Sequence, residues 1–251
     1  MYDIEFLKNN LENKLIYFDT IDSTNEEAKR RIQGNLQDYI VLAAGQTLGK
    51  GRKGRDFYSP KNQGIYVTFT HYTEKSIEEV IQVTTALSVI VRRAILETYG
   101  ISCKIKWVND LYYKDKKVCG ILCECILPDS NDDRTALICG IGINISTDSF
   151  PDDLQNKAGN ISDVDDALKN SEIILLMEKG LKEFYNESLN YMDDYIDNSL
   201  VIGKEVELFD QNGKILSGLV KDFDENGAIM IEDNSGRVKT INSGEISLVM
   251  K

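Results

Sequence analysis

The stretch Gly45-Gln46-Thr47-Leu48-Gly49-Lys50-Gly51-Arg52-Lys53-Gly54-Arg55 restricts the fold more than any other part of the chain. It places four glycines and four basic residues in a protein whose formal net charge is -12. Glycine lets the backbone approach a ligand closely, and Lys and Arg donate charge-assisted hydrogen bonds to phosphate or carboxylate oxygens. These residues, called the basic loop below, predict a segment that closes over an anion, in preference to a solvated surface turn.

The basic loop fits neither of two common phosphate-binding motifs. Residues 49–54 match G-x-G-x-x-G, and residues 39–44 before them read as a strand. The dinucleotide-binding motif also needs a helix that opens at its last glycine, whereas residues 56–64 are turn formers. A P-loop needs one more residue before Lys50, and Gly51 stands where Ser or Thr would bind the metal. Both motifs are therefore disfavoured. Without the dinucleotide-binding motif, a dinucleotide-dependent oxidoreductase is disfavoured as well.

Length and composition favour a cytoplasmic globular protein. The 251 residues suffice for one large domain, or for one domain and a small companion. No apolar run reaches the roughly eighteen residues of a membrane span, and the acidic N-terminus does not resemble a signal peptide. The 29 basic against 41 acidic residues argue against broad nucleic-acid binding. We therefore expect neither a membrane nor DNA as a partner.

The cysteines and the single histidine offer little catalytic chemistry. The chain has five cysteines and no C-x-x-C pair. Cys119, Cys123 and Cys125 share one face of a predicted strand, where free cysteine serves as a small core hydrophobe. His71 is the only histidine, which excludes zinc sites that need two, and any Ser-His-Asp arrangement would have to use it. We expect no structural metal and no cysteine nucleophile.

Hydrophobic periodicity predicts mixed α and β structure as far as residue 199. The predicted elements are a leading helix before Tyr17, a helix from Ser23 to about Ile32, strands at 39–44 and 64–70, a helix from Ser76 to about Tyr99, a strand–turn–hairpin over 101–127, a strand at 136–145 and helical structure over 151–198. Both long N-terminal helices open on capping boxes, Ser23 with Glu26 and Ser76 with Glu79. The last predicted strand contains Gly140 and Gly142, which suggests that another group approaches its backbone closely.

The period changes from helical to alternating at Leu200. Short strands are separated by Asn212-Gly213, Asn226-Gly227 and Asn234-Ser235-Gly236, each of which is a hairpin signal. About fifty residues with this pattern are typical of a small β-barrel of SH3-like size. We therefore predict two domains, a ligand-binding domain at 1–199 and a barrel at 200–251.

Several sequence blocks, in the same order and spacing, resemble the biotin–protein ligases. The matching blocks are Ser23-Thr24-Asn25, the basic loop from Gly49 to Arg55, Lys106-Trp107-Val108-Asn109-Asp110, Lys117 to Glu124, Gly140 to Asn144 and the closing Gly244-Glu245-Ile246-Ser247-Leu248. Lys50 and Lys53 stand where that family commonly has arginine, and Val108 stands where proline is usual. The resemblance covers nearly the whole chain.

The resemblance implies a fold and an activity. The fold is α+β, a class II synthetase-like mixed sheet flanked by helices, with a C-terminal SH3-like barrel. The activity joins biotin to a lysine of a biotin carboxyl carrier protein, through biotinyl-5'-AMP made from ATP with Mg²⁺. Two anions must meet in the first step, which the basic residues of this chain would assist. No protein nucleophile is required.

The resemblance also assigns site residues. Biotin would be bound by Ser23, Thr24, Asn25, Gln46, Gly49, Lys50, Gly51, Arg52 and Lys117. ATP would be bound by Arg52, Lys53, Arg55, Trp107, Asn109 and Asn144. The catalytic cations would be Arg52, Lys106 and Lys117, and Asp110 is the candidate metal ligand.

Three further expectations concern relatives and partners. Lipoate–protein ligases share the ancestral fold, but their glycine triplet with a following His-Asp is absent here, since His71 precedes Tyr72. Ser23 lies near the start of the sequence, which leaves no room before it for a DNA-reading domain, so we expect no repressor activity. The apolar segment from Arg134 to Ile145 is a candidate edge strand through which a homodimer would form.

Overall fold

The computed structural model describes residues 2–32, 37–74, 77–127, 134–210, 213–242 and 244–248. Its helices are α1 (Ile4–Asn10), α2 (Thr24–Ile32), α3 (Ile77–Tyr99), α4 (Ala167–Tyr185) and α5 (Met192–Asp197). Its strands are β1 (Lys14–Phe18), β2 (Tyr39–Ala43), β3 (Gly64–Thr73), β4 (Lys104–Lys106), β5 (Asp110–Tyr113), β6 (Lys116–Ile126), β7 (Thr135–Asn144), β8 (Glu205–Asp210), β9 (Gly213–Phe223), β10 (Ile229–Asp233), β11 (Val238–Ile241) and β12 (Glu245–Leu248).

The first seven strands form one mixed sheet in the order β1-β2-β3-β7-β6-β5-β4. Only β1 and β2 run parallel, and every other neighbouring pair is antiparallel. The predicted mixed sheet flanked by helices is therefore confirmed. The predicted strand 136–145 lies at its centre as β7, so our expectation that this segment is an edge was wrong. A homodimer remains a prediction, but it cannot form by sheet extension through β7.

Both faces of the central strands are buried, which explains their nearly continuous apolar character. One face packs against α3 and α4, with Leu87 and Met177 among the buried side chains that meet Ile141 of β7 in the same core. The other face packs against α2, where Ala28 meets Ile138. Because α2 is short, it does not cover the part of this sheet face beyond the N-terminus of the helix. Smaller and polar groups lie there instead.

The start of α2 was predicted correctly, but its predicted capping box does not form. Glu26 makes ion pairs with Lys29 and Lys50, and the N–H of Ser23 donates to Oδ1 of Asp22 at 2.7 Å. Hydrogen bonds from Arg30 lower the pKa of Asp22 to about 2, so its carboxylate stays charged at this helix end. The second capping box, at Ser76, lies outside the described residues, although α3 ends at Tyr99 as expected.

Helical structure over 151–198 was an overestimate. Residues 151–166 form turns, and their backbone pairs with the start of β6: the N–H of Lys117 donates to the Lys157 carbonyl, and that of Gly159 to the Lys117 carbonyl. Helix α4 starts only at Ala167, where the Asp166 carboxylate accepts two backbone N–H groups. The turn segment is polar and opens with proline, and it carries no continuous apolar stripe to bury.

The cysteines are only partly the core residues that we expected. Cys119 and Cys139 are fully buried, but Cys125, near the end of β6, is exposed. Burial raises the pKa of Cys103 to about 11 and that of Cys119 well above its usual range. Since the thiolate is the nucleophile, these two buried thiols are inert.

The last five strands form an antiparallel sheet in the order β11-β10-β9-β8-β12. Within the described residues β11 and β12 are the two edges of this sheet, so the predicted barrel closure is not observed there. The sheet packs against the N-terminal part of the chain, where the Trp107 indole N–H donates to the Gly227 carbonyl at 3.0 Å. The domain boundary near residue 200 remains a prediction, since one continuous core joins the two sheets. Among the described residues no helix is long and apolar enough to cross a membrane.

Candidate functional site

The candidate site has a floor of three glycines on β6 and β7. A Cβ at Gly140 would overlap the side-chain amide of Asn25, and one at Gly142 would overlap the ring of Phe57. A Cβ at Gly120 would lie 3.1 Å from the same ring and 3.2 Å from Nζ of Lys117. The close approach that the β7 glycines predicted is therefore confirmed. Groups from three distant parts of the chain converge on this floor.

The N-terminus of α2 forms one wall of the site. Gln46, in the basic loop, accepts from both the backbone N–H and the hydroxyl of Thr24 through Oε1, at 2.8 and 3.1 Å. Its Nε2 donates to Oγ of Ser59 at 2.9 Å. Ser23, Thr24 and Asn25 are all buried. This wall is therefore neutral and polar.

Asn25 is held on every side. Its Oδ1 accepts from the Thr68 hydroxyl at 2.7 Å, and its Nδ2 donates to the Leu122 carbonyl at 3.3 Å and to Oε2 of Glu124 at 3.0 Å. Only 4% of the residue is exposed. The amide therefore has one defined orientation above Gly140.

Two backbone hydrogen bonds hold together the two ends of the tip of the basic loop. The Phe57 N–H donates to the Gly49 carbonyl at 2.8 Å, and the Gly51 N–H donates to the Arg55 carbonyl at 2.7 Å. A 3₁₀ turn at Arg52–Gly54 forms its tip, where Lys53 and Gly54 have φ of 56° and 72°. The side chains of Lys53 and Arg55 are exposed. No helix follows Gly54, as the sequence indicated.

The loop reaches the β4–β6 region through Arg52. Its guanidinium donates to Oδ1 of Asn109 at 3.2 Å, and Asn109 in turn donates to the Ile121 carbonyl at 2.7 Å. Beside them, Nζ of Lys117 lies 2.7 Å from Oδ1 of Asp110. The structure thus brings Arg52, Asn109, Asp110 and Lys117 together, next to the glycine floor.

Three other predicted site residues lie around this centre. Lys106 of β4 lies opposite Asp110 of β5 in the register of these antiparallel strands. Its Nζ lies 5.5 Å from the centroid of the Tyr112 ring. Asn144, at the end of β7, donates to the Gly159 carbonyl at 3.1 Å. Trp107 is only 4% exposed and faces the C-terminal sheet, so the structure gives it a packing role, and its predicted contact with ATP stays a prediction.

The described residues contain no group of three or more His, Cys, Asp or Glu side chains that could hold a metal ion. Asp110 supplies a single carboxylate next to Lys117. Magnesium usually keeps several waters and binds one or two carboxylates together with substrate phosphates. The single carboxylate of Asp110 is compatible with a Mg²⁺ ion held mainly by water and phosphate oxygens, and its role as a metal ligand remains a prediction.

Sequence reasoning missed several side chains that shape the site. Phe57 covers Gly120 and Gly142, Thr68 orients Asn25, and Ser59 orients Gln46. Phe57 lies two residues after the basic loop, so its position was a usable signal. Thr68 lies on the buried strand β3, and Ser59 lies in the irregular segment after the basic loop. Nothing in the local sequence around either residue predicts which group its hydroxyl would hydrogen-bond.

Comparisons with known proteins agree with this arrangement. The sequence pattern of the biotin/lipoate A/B protein ligase family matches residues 16–144, and that of the biotin protein ligase C-terminal domain matches residues 201–249. The bifunctional ligase/repressor BirA of Bacillus subtilis is 30% identical over 244 residues, which cover 93% of this chain and 74% of that protein. The biotin–[acetyl-CoA-carboxylase] ligase of Mycobacterium tuberculosis is 23% identical over 238 residues, 89% of this chain and 85% of that protein.

Solved structures give the same result. The biotin protein ligase of Aquifex aeolicus in complex with biotin and ATP aligns with a TM-score of 0.77 and 30% identity, over 96% of this chain and all of that one. The first family pattern covers just over half of the chain, and the relatives match most of it. The chain therefore belongs to the biotin/lipoate A/B protein ligase family and carries the C-terminal domain of the biotin protein ligases.

Proposed function

We propose that this biotin ligase activates biotin with ATP as biotinyl-5'-AMP and transfers the biotinyl group to a lysine of a biotin carboxyl carrier protein. One observation carries the proposal: the neutral wall of Thr24, Asn25 and Gln46 and the cations Arg52 and Lys117 border the same glycine floor. The named relatives and the complex with biotin and ATP support it.

The neutral wall suits the ureido ring of biotin. That ring offers one carbonyl acceptor and two N–H donors, so it needs uncharged partners of both kinds. Hydroxyl and amide groups of Ser23, Thr24, Asn25 and Gln46 supply them. The backbone of Gly49, Lys50 and Gly51 closes over the ligand, and the glycines leave space for that approach. We assign these residues to biotin binding.

In the first step a carboxylate oxygen of biotin attacks the α-phosphorus of ATP. A C–O–P mixed anhydride forms, and the bond to pyrophosphate breaks. Two anions must come together, so preorganised cations lower the barrier most. Arg52 and Lys117 would hold the carboxylate and the α-phosphate, and Lys106 would add a third cation. Magnesium, held with help from Asp110, would neutralise the departing phosphates.

The remaining assignments concern the nucleotide. Lys53 and Arg55 lie at the exposed tip of the basic loop, where they would meet phosphates as the loop closes. Asn109 is held against Arg52 and would contact the same phosphates. Asn144 ties β7 to the segment that follows it, and we place the adenine near it. Trp107 is also assigned to ATP binding, although its ring is buried against the C-terminal sheet.

In the second step the neutral amine of the acceptor lysine attacks the carbonyl carbon of the anhydride. An amide bond forms, the C–O bond breaks and AMP leaves. The protein needs no nucleophile for this, in agreement with the engagement of its one histidine: His71 hydrogen-bonds Asp38 at 2.7 Å and stacks on Tyr185 at 3.6 Å.

The test is ATP–pyrophosphate exchange with biotin or lipoate as the acid. Exchange should depend on biotin, and it should fall by about 10²-fold or more in Lys117→Met, since one stabilising charge of the transition state is lost. Lys61→Met is the control, because Lys61 pairs with Asp19 at the surface. Exchange that depends on lipoate would favour a lipoate ligase instead. Exchange with neither acid would overturn the proposal.

A further inference from the structure

A row of four alternating charges runs from the basic loop to Asn25. Lys50 of the loop lies 2.8 Å from Glu26, and Glu26 lies 2.9 Å from Lys29. Lys29 reaches across to β6, where its Nζ lies 2.7 Å from Oε1 of Glu124. The other oxygen of Glu124 accepts from the amide of Asn25 at 3.0 Å. We call Lys50, Glu26, Lys29 and Glu124 the charge row.

The charge row favours the ionised forms of its two central members, Glu26 and Lys29. Hydrogen bonds from Lys50, and then from Lys29, lower the pKa of Glu26. Burial alone would lower the pKa of Lys29, but the two carboxylates outweigh burial and raise it. The side chains remain roughly a third to a half exposed, and ion pairs so exposed add little to stability. The row therefore calls for an explanation other than stability.

The orientation of Asn25 provides that explanation. If its amide turned over, Oδ1 would face the Leu122 carbonyl and the Glu124 carboxylate, which are both acceptors. The Glu124 carboxylate, together with the Leu122 carbonyl, therefore selects the orientation in which Nδ2 points to β6 and Oδ1 points to Thr68. Lys29 holds the carboxylate in place for this task. A glutamine at 124 could not serve Asn25 and Lys29 equally, because its amide nitrogen would face one of these two donors.

We propose that Glu124 is a positioning residue for biotin, which orients Asn25 and is itself coupled to the basic loop through Lys29 and Glu26. The inference rests on the proposed function, since it deepens the role of Asn25 in that site. Glu124 contacts no part of the reacting groups. Its effect should appear in biotin affinity and not in the use of ATP.

The experiment measures biotin binding by calorimetry without ATP, the KM for ATP and the thermal midpoint, in wild type and three variants. Glu124→Gln should weaken biotin binding by about tenfold or more, the usual effect of losing a hydrogen bond to a charged group. Lys29→Gln should weaken it less. The KM for ATP and the thermal midpoint should stay close to those of wild type in both variants, which a merely structural role would not produce.

Arg31→Gln is the matched control. It removes one positive charge and one ion pair from the same helix, since Arg31 pairs with Glu27 at 2.6 Å, but leaves the charge row intact. Its biotin affinity should equal that of wild type. Unchanged biotin affinity in Glu124→Gln, or an equal loss in Arg31→Gln, would overturn the positioning role. A wild-type protein that binds no biotin would overturn the proposed function, and the positioning role with it.

Discussion

At the scale of single residues, Arg52 links the basic loop to the β4–β6 side of the site. Its guanidinium reaches Asn109 from the 3₁₀ turn at the loop tip. Because the loop holds four glycines, ordering it costs conformational entropy, about 1–2 kcal/mol for each residue that becomes fixed. In the proposed mechanism, Arg52 would help to offset that cost once the adenylate is bound.

Arg52→Gly should therefore release the adenylate while biotin and ATP still react. A free mixed anhydride acylates exposed lysines, so the variant should biotinylate bystander proteins such as albumin. Streptavidin blotting with albumin as the target measures this. Lys61→Gly, which removes a surface cation outside the loop, should label no more than wild type. If Arg52→Gly still forms adenylate but labels albumin no more than wild type does, Arg52 does not retain the intermediate.

At the scale of elements, β7 combines two roles in one strand. Its odd-numbered residues, such as Cys139 and Ile141, enter the main core, while Gly140 and Gly142 face the site. Because successive residues of a strand face opposite sides of the sheet, the packing of the odd-numbered residues in the core fixes where Gly140 and Gly142 lie. Small changes on the floor should therefore affect ligand binding directly.

Gly140→Ala should weaken biotin binding strongly, because its Cβ would overlap an Asn25 amide that is held by three partners. Overpacking of this kind costs about 1–3 kcal/mol, which corresponds to roughly fivefold to somewhat over a hundredfold in affinity. Gly120→Ala is the comparison, since its Cβ would come no closer than 3.1 Å to the ring of Phe57 and 3.2 Å to the end of the Lys117 side chain, whereas a Cβ at Gly140 would overlap Oδ1 of Asn25. Calorimetry with biotin should rank the two. A larger loss in Gly120→Ala would mean that Asn25 is not the rigid element.

At the scale of the whole molecule, Trp107 joins the two sheets. It is the only tryptophan in the chain, is 4% exposed and donates to the Gly227 carbonyl. Tyr195 of α5 and Phe223 of β9 pack edge to face at 5.1 Å across the same junction. The C-terminal sheet is thus supported by the residue block that also supplies Asn109 and Asp110 to the site.

Trp107→Phe should lower the free energy of unfolding by about 2 kcal/mol, since it leaves a buried carbonyl without its donor and removes part of the packed ring. Urea unfolding followed by circular dichroism measures it. Tyr58→Phe, at a surface ring, should stay within about 0.5 kcal/mol of wild type. If Trp107→Phe were as stable as wild type, Trp107 would not stabilise the junction between the two sheets. A raised KM for ATP at normal stability would instead support the predicted nucleotide contact.

The sequence by itself determined most of the elements, and it predicted several of the residues that the structure brings together beside the glycine floor. Local chemistry was sufficient for that, because glycine spacing, basic residues and apolar period act over a few neighbours. It indicated that some group approaches Gly140 and Gly142, and that no helix follows Gly54. It failed where local pattern was weak, as in the polar turns of 151–166.

Only the tertiary structure decided which groups meet. Asn25 and Glu124 are 99 residues apart in the chain, so no periodicity could pair them. The strand order placed β7 at the centre instead of the edge, and the tertiary structure left Cys125 exposed while Cys119 on the same strand is buried. A side-chain pattern specifies which face is buried, whereas the partner on that face depends on how distant segments pack.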